Sequence, residues 1–278
     1  ITFGCISTRQ IYQHVKARAA ALPPRSKLAF ALRNFRDRLR WRDSALQRYY
    51  HRPQLAHQNQ YPEFDEYYTS DPLTPQQEDL FAAWQEGMTG FPMVDASMRQ
   101  LQSLGWMNFR MRAMCATFLT INCGISWHHG AEHYMRYLID GDLAIDHWQW
   151  QAQAGITNPL SATFRIYNPT KNLQEKDRQL KFIHEWLPEL RGYTMPEILA
   201  GQNLSEGYYP PPTLDWSATR RQHGKIVSNL RKRVRARLRK DGGHELKGAR
   251  KIKEASEKYR EARDRQYQQL EMTAPAGD

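Results

Sequence analysis

The chain has 278 residues, 40% hydrophobic and 25% charged, enough for one large core or two modest ones in a folded, soluble protein. No apolar run approaches the ~18 residues of a membrane-spanning helix, so no membrane partner is expected. The net charge is +11: residues 217–278 hold 18 Lys plus Arg against 8 acids and the first 216 hold 22 against 21, which assigns the basic character to the tail.

In chain order the pattern is helical throughout. Ser7 followed by Gln10 makes a capping-box start for a helix through Ile11 and Val15, which Pro23-Pro24 ends. Ser26 opens a longer helix whose Leu28, Leu32, Phe35, Leu39, Leu46 and Tyr49 mark one face, with Arg33, Arg36, Arg40 and Arg48 elsewhere. Residues 52–74 read as an ordered loop. Pro75 begins a helix through Phe81 and Trp84 that two glycines stop, and Pro92 begins another with Val94, Met98 and Leu101 spaced for burial. Further helices are predicted from about Trp106 to Ile121, over 127–138 behind Ser126, over about 143–153 behind Asp140 or Asp142, and from Tyr-Asn-Pro-Thr to Trp186-Leu187. Strand–helix alternation and a glycine-rich phosphate loop are both missing, which argues against a doubly wound fold. The expected architecture is all-α: a body over residues 1–192, a Pro/Gly-rich connector over 193–216, and a basic helical extension over 217–278, split by Asp241-Gly242-Gly243.

Within WHHGAEHYMRYLIDGDLAIDHWQW, His129 and His133 share a helix face as a zinc pair would, with Glu132 nearby. The order His-Glu-x-x-His is missing, so these histidines read as surface or supporting residues and no metal is expected. Asp140, Asp142 and Asp146 read either as helix caps or as acceptors for hydroxyl and ring N–H donors. Trp127, Trp148 and Trp150 read as core or as a ligand-pocket wall. Cys5, Cys115 and Cys123 follow no disulfide or zinc spacing, as in a reduced cytoplasmic protein.

FAAWQEGMTGFPMVDASMRQLQSLGWMNFRMRAM, YLIDGDLA, FRIYNPTKN and FIHEWLPELRG, with FGCISTRQIY at the start, resemble the FAD-binding domain of DNA photolyases and cryptochromes over roughly residues 3–192. The resemblance implies FAD held between helices, with Arg112 close to the ring, Asp140 and Asp142 near ribose and ring, and Trp106 in the pocket wall. Counted without a gap from Trp127, Asp146 falls where the family faces flavin N5 and Trp150 on the flavin-proximal tryptophan; alignment of WQW by its letters gives Trp148 that role instead. Either pairs with Trp127 for electron hopping. A carboxyl at 146, as in plant cryptochromes, delivers a proton when protonated and opposes an anionic ring when ionised.

The departures lie on the substrate side. Trp41-Arg42 matches the lesion-binding pair, Phe35 supplies an aromatic wall and Arg110 is a further substrate-side residue, but Arg38 stands where repair enzymes use Glu, and Phe109, beside Arg110, where they use Asn. Thr74 occupies the place of the outermost tryptophan, so the alternatives there are substitution by Tyr67 or Tyr68 and a relay that ends early. The usual antenna domain and the Thr/Ser segment that grips the FAD phosphates are missing upstream of Ile1, so a second chain completing the domain is a possible partner. The expected function is light-driven repair of pyrimidine dimers in DNA by an electron from reduced FAD. The alternatives are a non-repair photoreceptor and a structural flavoprotein subunit. In the tail, Leu230, Val234 and Leu238 form a stripe suited to packing on the body or a partner, while the arginines between them suit phosphate or solvent.

Overall fold

A computed structural model of the chain describes residues 1–23, 25–159, 161, 164–201, 209–241, 261 and 265. It divides into two compact units, Ile1–Pro53 with Ala236–Asp278, and Gln54–Arg235. Among the described residues every regular element is helical. The all-α reading holds.

In the first unit, α1 (Thr8–Ala20) packs on α2 (Lys27–His51). Both start as their sequence dictates: Ser7 and Gln10 form a reciprocal capping box, and Ser26 Oγ accepts from the Ala29 amide at 3.1 Å. Pro24 lies outside the described residues. The buried positions of α2 are Ala29, Phe30, Leu39 and Ala45, whereas Leu28 and Phe35 of the predicted stripe are exposed. The unit also corrects the reading of charge. Residues 1–53 carry 12 Lys plus Arg against 2 acids, and residues 54–216 carry 10 against 19. The average over the first 216 residues cancels two opposite surpluses, so the tail is one of two basic regions.

In the second unit, the loop after Gln54 is ordered by a short turn at Pro62–Phe64 and by burial of Ala56, Asn59, Phe64 and Tyr68. Then come α3 (Pro75–Glu86), capped by Thr74 and ended by Gly87 at φ 66°, and α4 (Pro92–Leu104), which buries Met93 to Met98 and Leu101. α5 (Phe109–Thr117) starts later than predicted because Asn108 Oδ1 takes the Arg110 and Met111 amides, and it ends in a π turn at Phe118–Asn122. α6 (Trp127–Tyr137) and α7 (Leu143–Gln153) follow as predicted. The single helix expected after Tyr-Asn-Pro-Thr is two, α8 (Pro169–Lys176) and α9 (Lys181–Trp186). The break comes where Leu180 adopts φ 55° and Asp177 Oδ2 accepts from the Ile183 amide at 2.9 Å. The connector contains α10 (Met195–Ala200).

α11 (Trp216–Lys240) begins the basic segment. Val227, Leu230 and Val234 are buried, and Arg231 between them is buried too. Its guanidinium donates to the carbonyls of Gly155, Thr157, Asn158 and Ser161. Leu238 is buried as well. Gly242-Gly243 and the rest of the tail, apart from Glu261 and Arg265, lie outside the described residues.

Candidate functional site

The site grows from the turn between α6 and α7. Ile139 N donates to the Gly105 carbonyl at 2.9 Å, which ties that turn to the end of α4. A Cβ on Gly105 would meet Ile139 Cγ2 at 2.7 Å, so the contact requires glycine. Arg112 on α5 reaches the same turn. Its Nε donates to the Met107 carbonyl at 2.8 Å, and its Nη2 lies 3.0 Å from both carboxylate oxygens of Asp140. The guanidinium is thus oriented at two points before any ligand arrives.

Asp142 holds the N-cap position of α7, but its side chain makes no capping hydrogen bond. The capping alternative therefore fails there, while Asp140 is engaged by Arg112. Asp146, one turn on, is 11% exposed at its side chain, and its buried Oδ2 has no hydrogen-bond partner. Burial pushes its carboxyl up to about 8, against the pull of Arg112 and with the push of Asp140 and Asp142. Asp146 therefore keeps its proton at neutral pH. The folded chain holds that proton while the unfolded chain loses it near 3.8. This contribution to stability is fully present below that value and fades as pH rises through about 8, by at most ~1.4 kcal/mol per pH unit. Asp146→Asn is expected to flatten that decline, which thermal unfolding at about pH 5 and about pH 9 checks.

Trp150, on the next turns of α7, is fully buried with its Nε1 unpartnered. Its ring lies 4.8 Å from Tyr134 and 6.2 Å from Trp84, between centroids. Trp148 is half-exposed. Trp127 is buried and donates from Nε1 to Asn59 Oδ1 at 2.8 Å. His128 stacks on it at 3.9 Å and His147 meets it edge-on at 5.7 Å. Burial lowers both imidazoles, His147 to about 4, so the rings around Trp127 are neutral. Of the histidines read as surface residues, His133 is buried, with Nδ1 2.9 Å from Gln85 Nε2. No group of three potential metal ligands is brought together among the described residues.

Trp106 is 44% exposed ahead of α5, and Arg110 is exposed in its first turn. Phe35, Arg38, Trp41 and Arg42 belong to α2 in the first unit, where Phe35 and Trp41 are 47% and 61% exposed. There the Arg38 guanidinium stands 4.5 Å from the Trp41 ring centroid, a cation–π contact that covers one ring face. Asn59, Trp84 and Tyr134 hold the two central tryptophans, and sequence reasoning gave them no such role. The sequence marks Trp84 only as part of a helix and does not single out Tyr134, and Asn59 stands in an aperiodic loop.

The model of the FAD-binding domain of DNA photolyase matches residues 35–229, well over half of the chain. The chain belongs to the photolyase and cryptochrome family. Its all-α fold is that of the family's FAD-binding domain. The deoxyribodipyrimidine photo-lyase of Synechococcus is 33% identical over 239 residues, which are 83% of this chain and 47% of that protein. The Escherichia coli photo-lyase is 50% identical over 111 residues, 39% of this chain and 23% of its own. Among solved structures, a class III photolyase from Agrobacterium tumefaciens superposes with a TM-score of 0.71 at 28% identity, covering 83% of this chain and 48% of that one. A Synechocystis cryptochrome gives 0.65 at 29% identity, covering 80% and 46%. The chain spans about half the length of the Synechococcus relative and of the two solved structures. Among the described residues no helix is long and apolar enough to cross a membrane.

Proposed function

We propose that this chain binds FAD between α5, α6 and α7 and serves light-driven one-electron repair of pyrimidine dimers in DNA. The observation that carries the reading is the buried Oδ2 of Asp146, without a hydrogen-bond partner, beside an Arg112 already oriented by Asp140. The donor set fits the group. A flavin ring presents N–H and carbonyl groups that need acceptors and donors, and its ribitol and ribose hydroxyls need acceptors. Arg112, Asp140, Asp142 and Asp146 would hold it, with Trp106 beside them. When bound, FAD supplies light absorption and one-electron transfer.

The chain's own residues supply the rest. Asp146 keeps a proton at its carboxyl in neutral solution. Trp150 and Trp127 are oxidisable rings in a dry interior, and neutral His128 and His147 place no charge against a cation forming on Trp127. For DNA, the arginines of α2 interleave with exposed Phe35 and Trp41, a combination that suits phosphate contact and base stacking. The names of the relatives support repair as the reaction.

A second reading, a photoreceptor without repair, draws on Arg38. That side chain has donors only and rests on the Trp41 ring, so it offers a pyrimidine dimer neither the acceptor nor the ring face. The absorption spectrum of the purified protein before and after blue light tests the shared core of both readings. Flavin bands that bleach on illumination are expected, and their absence overturns both. Illumination with a dimer-containing oligonucleotide then decides between them: loss of dimer supports repair, and dimer surviving flavin bleaching supports the photoreceptor. Arg38→Glu restores an acceptor and uncovers Trp41. It is expected to tighten dimer binding roughly tenfold, the worth of one charged hydrogen bond, in a competition titration against undamaged oligonucleotide.

A further inference from the structure

Between α3, the turn after α5 and the first turns of α11 lies a cleft of about 710 Å³, whose wall includes Asp79, Leu80, Asn122, Leu214, Gln222 and His223. That is the size of a small-ligand pocket. It is separate from the site on α5 and α7, since none of Arg112, Asp140, Asp142 or Asp146 lines it. We propose that this cleft binds a guanidinium group, the head of an arginine side chain. The proposal uses residues of the second unit alone and is independent of the FAD reading.

The charge of the surroundings sets the sign of the ligand. From Pro53 to Met98 the chain has eight Asp and Glu and no Lys or Arg. Asp71, Glu78, Asp79 and Glu86 of that stretch are exposed and have no ion-pair partner among the described residues. Asp79 contributes to the cleft wall. No Lys or Arg among the described residues lines it; on α11, Thr219, Gln222 and His223 do, while the Arg220 guanidinium rests 5.3 Å from the Trp216 ring centroid. Burial lowers His223, so its imidazole is neutral at pH 7. That ring is fixed in place. Its Nδ1 lies 2.5 Å from the Tyr67 hydroxyl, and Gly124 makes room for it, since a Cβ there would come within 2.3 Å of Cε1. Acids along α3 beside a neutral wall attract a cation and repel nucleic acid, so the cleft is no part of a DNA surface.

The wall also holds a buried acceptor without a donor. Asn122 is 2% exposed, and its Nδ2 donates to the Trp216 carbonyl at 3.2 Å and to Thr219 Oγ1 at 3.1 Å. These two bonds fix which way the amide points and leave Oδ1 buried with no hydrogen-bond partner. A ligand N–H that reaches it relieves a cost the free chain carries. The two open groups, the Asp79 carboxylate and the Asn122 amide oxygen, are both acceptors, which calls for a cation rich in donors. A guanidinium has five N–H donors in one plane, and its weak hydration makes it easier to take from water than an ammonium. Leu80 and Leu214 give its methylene stem an apolar wall. A divalent metal ion does not fit. Hard cations take about six oxygen ligands, and no group of three potential metal ligands is assembled among the described residues.

Equilibrium dialysis of the full chain tests the site with free arginine and with three capped tripeptides that carry arginine, citrulline or lysine between glycines. The arginine peptide is expected to bind about tenfold more tightly than the citrulline peptide, which has nearly the same shape without the charge, and more tightly than the lysine peptide. Asp79→Asn is expected to weaken binding about tenfold, the low end for one charged hydrogen bond. Glu86→Gln makes the same change in net charge on α3 at a residue that does not line the cleft, and is expected to leave binding within about twofold. Both positions are exposed, so neither variant is expected to unfold. Equal binding of the arginine peptide and either of the other two, equal loss in the two variants, or no retention at about 10 mM ligand overturns the proposal. An arginine peptide held more tightly than free arginine supports a protein side chain as the source of the group, and the reverse supports the free amino acid.

Discussion

Replacing Arg231 by methionine is expected to lower the unfolding free energy by about 2–5 kcal/mol, the largest loss foreseen for any single side chain here. The guanidinium is 1% exposed and has no carboxylate among its hydrogen-bond partners. Burial, helped by nearby Arg235, lowers it to about 10. It is held by backbone carbonyls. Those of Thr157, Asn158 and Ser161 lie at 3.0, 2.7 and 3.0 Å, with that of Gly155 completing the set. Gly155 and Asn158 both have positive φ, at 79° and 53°, so the segment departs from any repeating backbone whose ladder would satisfy those carbonyls. A planar fork with five donors replaces the ladder. Methionine keeps the volume of the stem but leaves the Gly155 and Thr157 carbonyls without a donor, each costing about 1–3 kcal/mol before relaxation, while the Asn158 carbonyl keeps the Ser161 amide and the Ser161 carbonyl keeps Arg235 Nη1. Lysine restores the charge with at most three donors and no fork, so Arg231→Lys is expected to fall between the two. Urea unfolding measures both. A loss below about 1 kcal/mol for methionine would mean that water reaches the carbonyls.

Gly130→Ala is expected to cost about 1–3 kcal/mol and to displace Trp150. A Cβ at 130 would stand 2.2 Å from Trp150 Cη2 and 2.6 Å from Leu119 Cδ2, both belonging to side chains that are fully buried. Neither can retreat, because Trp84 and Tyr134 hold the other sides of the indole. The backbone itself is not the obstacle, since Gly130 is helical and alanine has the better propensity. An exposed glycine in α6 would gain from the change. The two effects are separable: urea unfolding reports the packing loss, and Trp150 fluorescence, read as the difference from a Trp150→Phe chain, reports the shifted ring. A variant as stable as the parent with unchanged emission would show that α6 and α7 can part by the missing fraction of an ångström.

The sequence by itself determined the local structure and the lineage. Ser7, Ser26, Thr74, Pro75 and Pro92 start their helices where they stand because caps and proline act on neighbouring amides, within reach of a linear reading. The family motifs likewise named Arg112, Asp140, Asp142, Asp146, Trp127 and Trp150 without any knowledge of distance. Only the tertiary structure decided what those residues meet. Asp146 lies one turn past Asp142 in sequence, yet its raised carboxyl follows from burial, and burial is a sum over neighbours from several helices. Arg231 looked like its basic neighbours in a stretch with no local feature to mark it, and it is buried where it meets backbone carbonyls 70 or more positions away in sequence. Tyr67 and His223 stand 156 positions apart. Charge, too, needed the fold: the near-neutral count over the first 216 residues hid a basic helix pair and an acidic stretch after it. Caps and motifs depend on a few adjacent bonds, whereas desolvation, proton acceptors and electron paths depend on which surfaces the folded chain brings together.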